Sequence, residues 1–280
     1  MKAFLNSLRS VRSMLLYGML FGMLGLTACC AQDRSDKQPD EQPSPDPNKA
    51  ATPAVPTHKD SPLHGRKVLF CGDSISYGHY DIPAGYSWAG RIQKQYGTIS
   101  DNRSCSGWCL STVRGAGGQI VNQLKSAQNG DYDMIVVQGG VNDAWGTTDG
   151  TNIVAPVGEM SDSFDVKDFD NSTYAGGLEE FFYYARKFFP DATLCYIISF
   201  YMPRAGVGNV EDMEDYYAMG MQICDKWGVP YLDMYHDDYL NYELLEINTL
   251  KCLQDPVHPN ALGYERISPY IGKWLESIVK

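Results

Sequence analysis

The stretch most informative about the fold is Lys67-Val68-Leu69-Phe70-Cys71-Gly72-Asp73-Ser74-Ile75-Ser76. It begins with a mostly apolar run, and Gly72-Asp73-Ser74 follows directly after that run. A short apolar run bounded by a turn signal predicts a buried β-strand. A serine directly after such a strand lies at the carboxyl edge of a parallel sheet, where open α/β proteins place their binding sites. We therefore take this stretch as the start of the fold and of a candidate site.

Strand and helix patterns alternate on either side of this stretch. The apolar runs predict strands at Lys67–Cys71, Thr98–Arg103, Asp133–Gln138, Thr193–Phe200 and Val229–Asp233. The helical patterns cover Ser87–Tyr96, Gln119–Ala127, Thr173–Phe189, Glu211–Trp227 and Asn260–Val279. Apolar strands separated by helices indicate a parallel sheet covered on both faces. The predicted fold class is α/β, a three-layer α/β/α sandwich with a five-stranded parallel sheet.

The N-terminus has the pattern of a targeting segment. Lys2, Arg9 and Arg12 precede the uncharged apolar run Met14–Leu26. As a helix this run would span roughly 20 Å, short of a hydrocarbon core of about 30 Å, so a secretory signal is the better interpretation. Leu26-Thr27-Ala28-Cys29 resembles a bacterial lipobox, which implies cleavage before Cys29 and lipid on that cysteine. The alternative is an ordinary signal peptide followed by an incidental cysteine.

These features predict three regions. Residues 1–28 are a lipoprotein signal peptide, 29–62 a disordered Pro-rich tether, and 63–280 one folded domain. A flexible tether of this length reaches about 30 Å. We therefore expect an exported, membrane-anchored lipoprotein, at the cell surface or in the periplasm. The segment Ala144–Ser172 is long and polar, which predicts an active-site loop or an elaboration at the rim of the sheet.

Composition excludes several kinds of partner. The net charge is −11 and the 280 residues contain no lysine or arginine run, so no nucleic-acid partner is expected. No Cys-x-x-Cys pair or histidine cluster suggests a metal site, and no cofactor is expected. Cys71 and Cys195 lie in apolar runs and are predicted core residues, whereas Cys105 and Cys109 are close enough in sequence for a local disulfide. The oligomeric state stays open.

A second stretch, Asp255-Pro256-Val257-His258, supplies the groups that would activate Ser74. A serine hydroxyl is a weak nucleophile until a base removes its proton, and histidine titrates in the right range. A carboxylate orients the imidazole and stabilises its charged form. We therefore predict Ser74 as nucleophile, His258 as base and Asp255 as its partner. His79 is the rival base, and His236 is predicted to lie on the surface.

Donors for a developing oxyanion are predicted at three positions. They are the backbone N–H of Ser74, the backbone N–H of Gly107, and the side-chain amide of Asn142. Gly107 follows the second predicted strand, and its lack of a Cβ permits unusual dihedrals. The alternative for Asn142 is a turn cap. Asp143 is predicted to orient this loop or to cap a helix rather than to take part in chemistry.

Four blocks in order resemble the SGNH, or GDSL-type, hydrolases. The blocks are Gly72-Asp73-Ser74, the Asn102–Gly107 stretch, Gly140-Val141-Asn142-Asp143, and Asp255-Pro256-Val257-His258. The resemblance spans about residues 66–279 and implies a flavodoxin-like α/β/α fold. It also implies Ser74, His258 and Asp255 as the catalytic residues, with Ser74, Gly107 and Asn142 forming the oxyanion hole. One departure is Ile75, where the family motif commonly has leucine.

These features favour an esterase that removes short acyl groups, such as acetyl, from a small-molecule or glycan ester. Aromatic residues near Ser74 are candidates to line a sugar or acyl site: Tyr77, Tyr80, Tyr86, Trp88 and, after Asn142, Trp145. The alternatives are a lipase or lysophospholipase, an acyltransferase on longer chains, and a non-catalytic carbohydrate-binding module on the same fold.

Overall fold

Five parallel strands form the centre of the fold. They are β1 Lys67–Cys71, β2 Ile99–Asn102, β3 Met134–Gln138, β4 Thr193–Ile198 and β5 Tyr231–Asp233. Their order in the sheet is β2-β1-β3-β4-β5, and every neighbouring pair is parallel. In the register, Leu69 of β1 lies opposite Asp101 of β2 and Ile135 of β3. This order is the flavodoxin-like arrangement that the family resemblance implied.

The computed structural model describes residues 58–78, 84–149, 151, 153–202 and 213–280. The predicted signal peptide, the predicted lipidation site Cys29 and most of the predicted tether lie outside these residues, as do His79 and Tyr80. Within the described part of the chain, no helix is both long and apolar enough to cross a membrane.

Helices follow the strands in the expected alternation. They are α1 Ser74–Tyr77, α2 Trp88–Tyr96, α3 Val121–Ser126, α4 Val141–Trp145, α5 Tyr174–Phe188, α6 Glu214–Trp227 and α7 Ala261–Ile278. Shorter 3₁₀ turns cover Ala84–Tyr86, Ala116–Gly118, Val166–Asp168 and Ile247–Thr249, and Tyr239–Leu244 is a π-helical turn. Side-chain caps from Ser87, Thr173 and Asn260 begin α2, α5 and α7, because their oxygens accept otherwise unpaired N–H groups.

Alternate strand residues divide the core into two layers. Val68 and Phe70 point to one face of β1, where they pack with residues of α2 and α7. Leu69 and Cys71 point to the other face and pack with residues of α3, α5 and α6. Both layers are fully buried, which explains why the strand sequences are continuously apolar. The predicted three-layer α/β/α fold with a five-stranded parallel sheet is confirmed.

Two short helices, α1 and α4, are absent from the sequence prediction. Each covers too few residues for a helical period to emerge in the sequence. Helices α5 and α6 bind the described part of the polar segment Ala144–Ser172: the Glu179 carboxylate accepts the Ser161 N–H, and the Tyr216 hydroxyl donates to the Ala155 carbonyl. Lys226 of α6 reaches into it and donates to the carbonyl oxygens of Ser161 and Ser163, at 2.5 and 2.6 Å.

Three details correct the sequence predictions. The predicted tether extends to residue 62, but the His58 ring stacks on Tyr96 with 4.6 Å between ring centroids, so the folded part begins earlier. Trp88 is 1% exposed and packs edge-on against Phe70, so it belongs to the core and lines no site. Cys109 is a buried free thiol, which excludes the local disulfide with Cys105.

Candidate active site

The strand order creates a crevice between the carboxyl ends of β1 and β3. In the sheet, β2 lies on one side of β1 and β3 on the other. The segments that leave the carboxyl ends of β1 and β3 therefore run to opposite sides and leave a gap between them. Open parallel sheets bind ligands at such a switch point. Ser74 begins α1 directly after β1, and Asn142 lies in α4 directly after β3. The fold therefore brings both segments to the same crevice.

Close packing around Gly72 fixes where the chain turns toward Ser74. A Cβ on Gly72 would lie 2.6 Å from the Ser76 Oγ and 2.8 Å from the Gln138 carbonyl oxygen, so only glycine fits. The Gln123 side chain brackets the Gly72 backbone, accepting from its N–H at 2.8 Å and donating to its carbonyl at 2.9 Å. The nucleophile candidate thus follows a turn that is held on several sides.

Asp73 caps the helix that Ser74 begins. One carboxylate oxygen accepts the Ile75 N–H at 2.9 Å, and the other accepts the Gln138 side-chain amide at 3.1 Å. Complete burial raises the pKa of Asp73 to about 7, against the lowering effect of these two hydrogen bonds. Both oxygens are occupied by the protein itself. Asp73 therefore orients the Ser74 segment and offers no free oxygen to a substrate.

A narrow turn presents His258 to Ser74. Leu253 and Pro259 pair in an antiparallel bridge, and the Gln254 N–H donates to the His258 carbonyl at 2.9 Å. The His258 side chain is directed into the crevice, where its Nε2 lies 2.9 Å from the Ser74 Oγ. The imidazole is largely buried, with 11% of its side-chain surface exposed. The predicted nucleophile and base, far apart in sequence, are thus in hydrogen-bond contact.

Asp255 completes the hydrogen-bonded line behind His258. Its Oδ2 lies 2.8 Å from the His258 Nδ1, and its Oδ1 accepts the backbone N–H groups of Val257 and His258, both at 2.8 Å. Partial burial alone would raise the pKa of Asp255, but these hydrogen bonds outweigh it and hold the pKa below its usual range. An ionised Asp255 only accepts, so Nδ1 carries the proton and Nε2 faces Ser74 as a base.

Gly107 and Asn142 are brought together by a residue that the sequence did not single out, Arg114. Gly107 has φ +79°, the left-handed region that favours glycine. One guanidinium nitrogen of Arg114, Nη1, donates to the Gly107 carbonyl and to the Asn142 Oδ1, each at 3.0 Å. The Asn142 Nδ2 donates to the Trp108 carbonyl at 3.0 Å. The two predicted oxyanion donors therefore share one cationic partner.

Asp143, the next residue of α4 after Asn142, braces the same loop through its backbone. Its carboxylate is fully buried and accepts the N–H groups of Leu110 and Ser111, at 2.9 and 2.8 Å. Burial raises the pKa of Asp143, whereas these hydrogen bonds favour the ionised form. Because both oxygens face backbone donors, the geometry matches the predicted orienting role.

His236 occupies a different environment from His258. Its Nδ1 lies 2.7 Å from Asp233, its Nε2 lies 2.9 Å from Glu214, and the side chain is 42% exposed. Both ring nitrogens are engaged by carboxylates, so neither faces Ser74. This agrees with the predicted surface position.

The match to a family model covers residues 70–266, which is more than half of the chain. That model is described as the GDSL-like lipase/acylhydrolase family. The chain belongs to this family. Membership confirms the resemblance drawn from the four sequence blocks and implies a hydrolase. No curated protein matches the sequence.

Solved structures share the GDSL-like fold at low sequence identity. A Lactobacillus plantarum protein is 21% identical, with a TM-score of 0.61 over 77% of this chain and 98% of its own. A Bacteroides ovatus protein assigned as a GDSL-like lipase is 16% identical, with a TM-score of 0.54 over 76% and 99%. An active-site mutant of a family two carbohydrate esterase from Clostridium thermocellum is 13% identical, with a TM-score of 0.51 over 76% and 63%. At these identities the likeness concerns the fold alone.

The stability of this GDSL-like hydrolase should depend on pH through His236. Partial burial alone would lower the pKa of His236, but hydrogen bonds to Glu214 and Asp233 raise it above its ordinary value. The folded state therefore binds the proton more tightly, and this stabilisation is complete below about pH 6.5 and lost as pH rises through the folded-state pKa. We expect His236→Gln to lower the free energy of unfolding at pH 6 by up to about 1 kcal/mol, and by less at pH 9.

Urea unfolding of both proteins at the two pH values measures this difference. Equal losses at pH 6 and pH 9 would show that the protonated imidazole contributes no stability through these carboxylates.

Proposed function

We propose that this protein is a serine esterase that hydrolyses carboxylic esters with Ser74, His258 and Asp255. One observation carries the proposal: the hydrogen-bonded line from the Ser74 Oγ to the His258 Nε2 at 2.9 Å, and from the His258 Nδ1 to Asp255 at 2.8 Å. Nucleophile, base and orienting carboxylate are the three parts that acyl transfer requires. Membership of a lipase/acylhydrolase family supports the same reaction class.

In the proposed acylation step, the Ser74 oxygen attacks the carbonyl carbon of the ester. The serine proton passes to the His258 Nε2, which is already within hydrogen-bond distance. Asp255, with a lowered pKa, stabilises the imidazolium that forms. The tetrahedral intermediate collapses when the carbon–alkoxy bond breaks, and the imidazolium returns its proton to the leaving alcohol. The acyl group then remains on Ser74.

The negative oxygen of that intermediate requires donors. The proposal assigns them to the N–H groups of Ser74 and Gly107 and to the second amide hydrogen of Asn142. A single donor of this kind contributes about 2.7–4 kcal/mol to transition-state stabilisation. Because Ser74 begins α1, its N–H belongs to the first turn, whose N–H groups have no partner within the helix.

Deacylation repeats these steps with water. His258 removes a proton from water, the hydroxide oxygen attacks the acyl carbon, and the same donors hold the second oxyanion. The carbon–Ser74 bond breaks and the proton on His258 returns to the serine oxygen. The products are a carboxylic acid, an alcohol and the regenerated enzyme. With an alcohol as acceptor in place of water, the same steps would give acyl transfer.

Ser74 and His258 should behave as one unit in kinetics. We expect Ser74→Ala to lower kcat for a p-nitrophenyl ester by about 10⁴–10⁶-fold, and His258→Ala to lower it by a similar factor. The double variant should be no worse than either single variant, because each change alone disables proton transfer to the same atom. Ser277→Ala, at an exposed position of α7, is the matched control. Near wild-type turnover by Ser74→Ala would refute the proposed mechanism.

The proposed substrate is an ester of a short acyl group, such as acetyl, on carbohydrate. Two observations support a small acyl group: the Asn102–Gly118 loop is rich in glycine and polar residues, and the Arg114 cation lies beside both oxyanion candidates. A long hydrocarbon chain packed near this cation would remove water from the charge without replacing it. The sugar component is proposed from aromatic residues near Ser74 in sequence, such as Tyr77 and Tyr86. One protein of the same fold is described as a carbohydrate esterase.

Acyl-chain length discriminates between this substrate and a lipase substrate. Each methylene buried in an apolar groove contributes about 0.8 kcal/mol, so kcat/KM of a lipase should rise with chain length. We expect the reverse here, with a maximum at C2 and a decline through C4, C8 and C12 p-nitrophenyl esters. A maximum at C8 or beyond would replace the acetylesterase proposal with the lipase alternative.

We further propose that the protein is exported and anchored through lipid on Cys29, on the strength of the lipobox-like Leu26-Thr27-Ala28-Cys29 alone. In a bacterial host, intact mass of the membrane fraction should show a diacyl or triacyl addition on Cys29. Cys29→Ser should abolish the addition, and Cys30→Ser, at the adjacent position, should retain it. A product cleaved elsewhere and free of lipid would contradict the proposal.

A further inference from the structure

Arg114 connects three segments at the edge of the crevice. It is partly buried in the loop between β2 and α3. Its Nη1 donates to the Gly107 carbonyl and to the Asn142 Oδ1, and its Nε donates to the Gly146 carbonyl at 2.6 Å. Gly146 is the C-cap of α4. One guanidinium therefore binds the turn at Gly107 and both the beginning and the end of the helix that carries Asn142.

The Arg114 contact determines which way the Asn142 amide faces. A guanidinium only donates, so the amide oxygen must face Arg114. The amide nitrogen then faces the Trp108 carbonyl, which only accepts, at 3.0 Å. The reversed orientation would set two donors against each other and two acceptors against each other. Trp108 uses one Nδ2 hydrogen, and the second has no acceptor among the residues that the structure describes, so it can serve as a donor.

The Arg114 guanidinium also restricts the backbone conformation at Gly107. Its hydrogen bond to the Gly107 carbonyl fixes a residue that is already in the left-handed region, at φ +79°. A Cβ at Gly107 would lie 3.3 Å from the Arg114 Nη1, so the two groups are closely packed. Arg114 thus holds the peptide that follows Gly107, which is joined through the Gly107 Cα to the peptide that carries the Gly107 N–H.

We propose that Arg114 is a positioning residue for the oxyanion hole. This inference rests on the esterase function proposed above. Arg114 holds Gly107 and Asn142 in one geometry, and its positive charge polarises the Asn142 amide, which strengthens donation from Nδ2. Positioned donors act without reorganisation at the moment of reaction, so their effect falls on the transition state rather than on substrate binding.

A second residue, Asp143, attaches the same loop to the domain. A loss of activity without Arg114 can therefore be told apart from a loss of folding. Asp143 binds the N–H groups of Leu110 and Ser111 and ties the loop to α4 independently of Arg114. Loss of the guanidinium should therefore leave the loop attached to the domain. What it removes is the contact specific to Gly107 and Asn142.

Arg114→Met keeps an apolar stem of similar length and removes the donors and the charge. We expect kcat for p-nitrophenyl acetate to fall by about 10²–10³-fold, the loss observed for one oxyanion donor, with little change in KM. Arg114→Lys should recover only part of this loss, because a single ammonium retains the charge but cannot match the guanidinium fork. In an Asn142→Ala background, Arg114→Met should cost much less than it does alone.

Arg66→Met is the matched control. Arg66 is also partly buried and also donates to more than one oxygen, in its case the Asp133 carboxylate and the Lys280 backbone carbonyl. It precedes β1, at the edge of the sheet opposite the site. The kcat of Arg66→Met should equal that of the wild type. Thermal unfolding of all variants establishes that each is folded at the assay temperature.

Three outcomes would overturn the inference: kcat of folded Arg114→Met within twofold of wild type, a loss confined to KM, or full additivity with Asn142→Ala. Ser74→Ala on the same ester separates this failure from failure of the proposed function. If Ser74→Ala is active, the esterase mechanism is wrong. If Ser74→Ala is inactive while Arg114→Met matches Arg66→Met, only the role of Arg114 is wrong.

Discussion

Close packing of Gly72 at the end of β1 determines how the segments of the site are arranged around Ser74. Its backbone is held between the Gln123 side chain and the Cys105 N–H, and the space a Cβ would need is filled by Ser76 and Gln138. Three segments therefore meet at Gly72: the segment that carries Ser74, the loop toward Gly107, and the end of β3. A larger residue there would displace all three together.

Carboxylates around this point differ in role because they differ in environment. Burial raises the pKa of Asp73 and of Asp143, and both are occupied by donors from the protein, so they act as braces. Asp255 is less buried, and hydrogen bonds from Val257 and His258 lower its pKa, so it stays ionised beside the imidazole. The same type of side chain thus braces the protein at two positions and orients a histidine at the third.

Much of this arrangement could be predicted from the sequence, because apolar strands and a serine turn are local patterns. The predicted pairing of Ser74 with His258 is observed as a hydrogen bond, since both segments end at the same edge of the sheet. Arg114 could not be predicted, because its partners are backbone and side-chain oxygens made neighbours only by the fold. The prediction that Trp88 lines the site was wrong. Trp88 is near Ser74 in sequence, but this nearness did not show which face of α2 is buried.

Covalent trapping shows whether Ser74 is a nucleophile activated by His258. A fluorophosphonate reacts with an activated serine and adds a defined mass, which peptide mapping assigns to one residue. We expect a single modification, on Ser74, in the wild-type protein and a labelling rate at least about 10³-fold lower in His258→Ala. Modification at another residue, or an unchanged rate in His258→Ala, would contradict it.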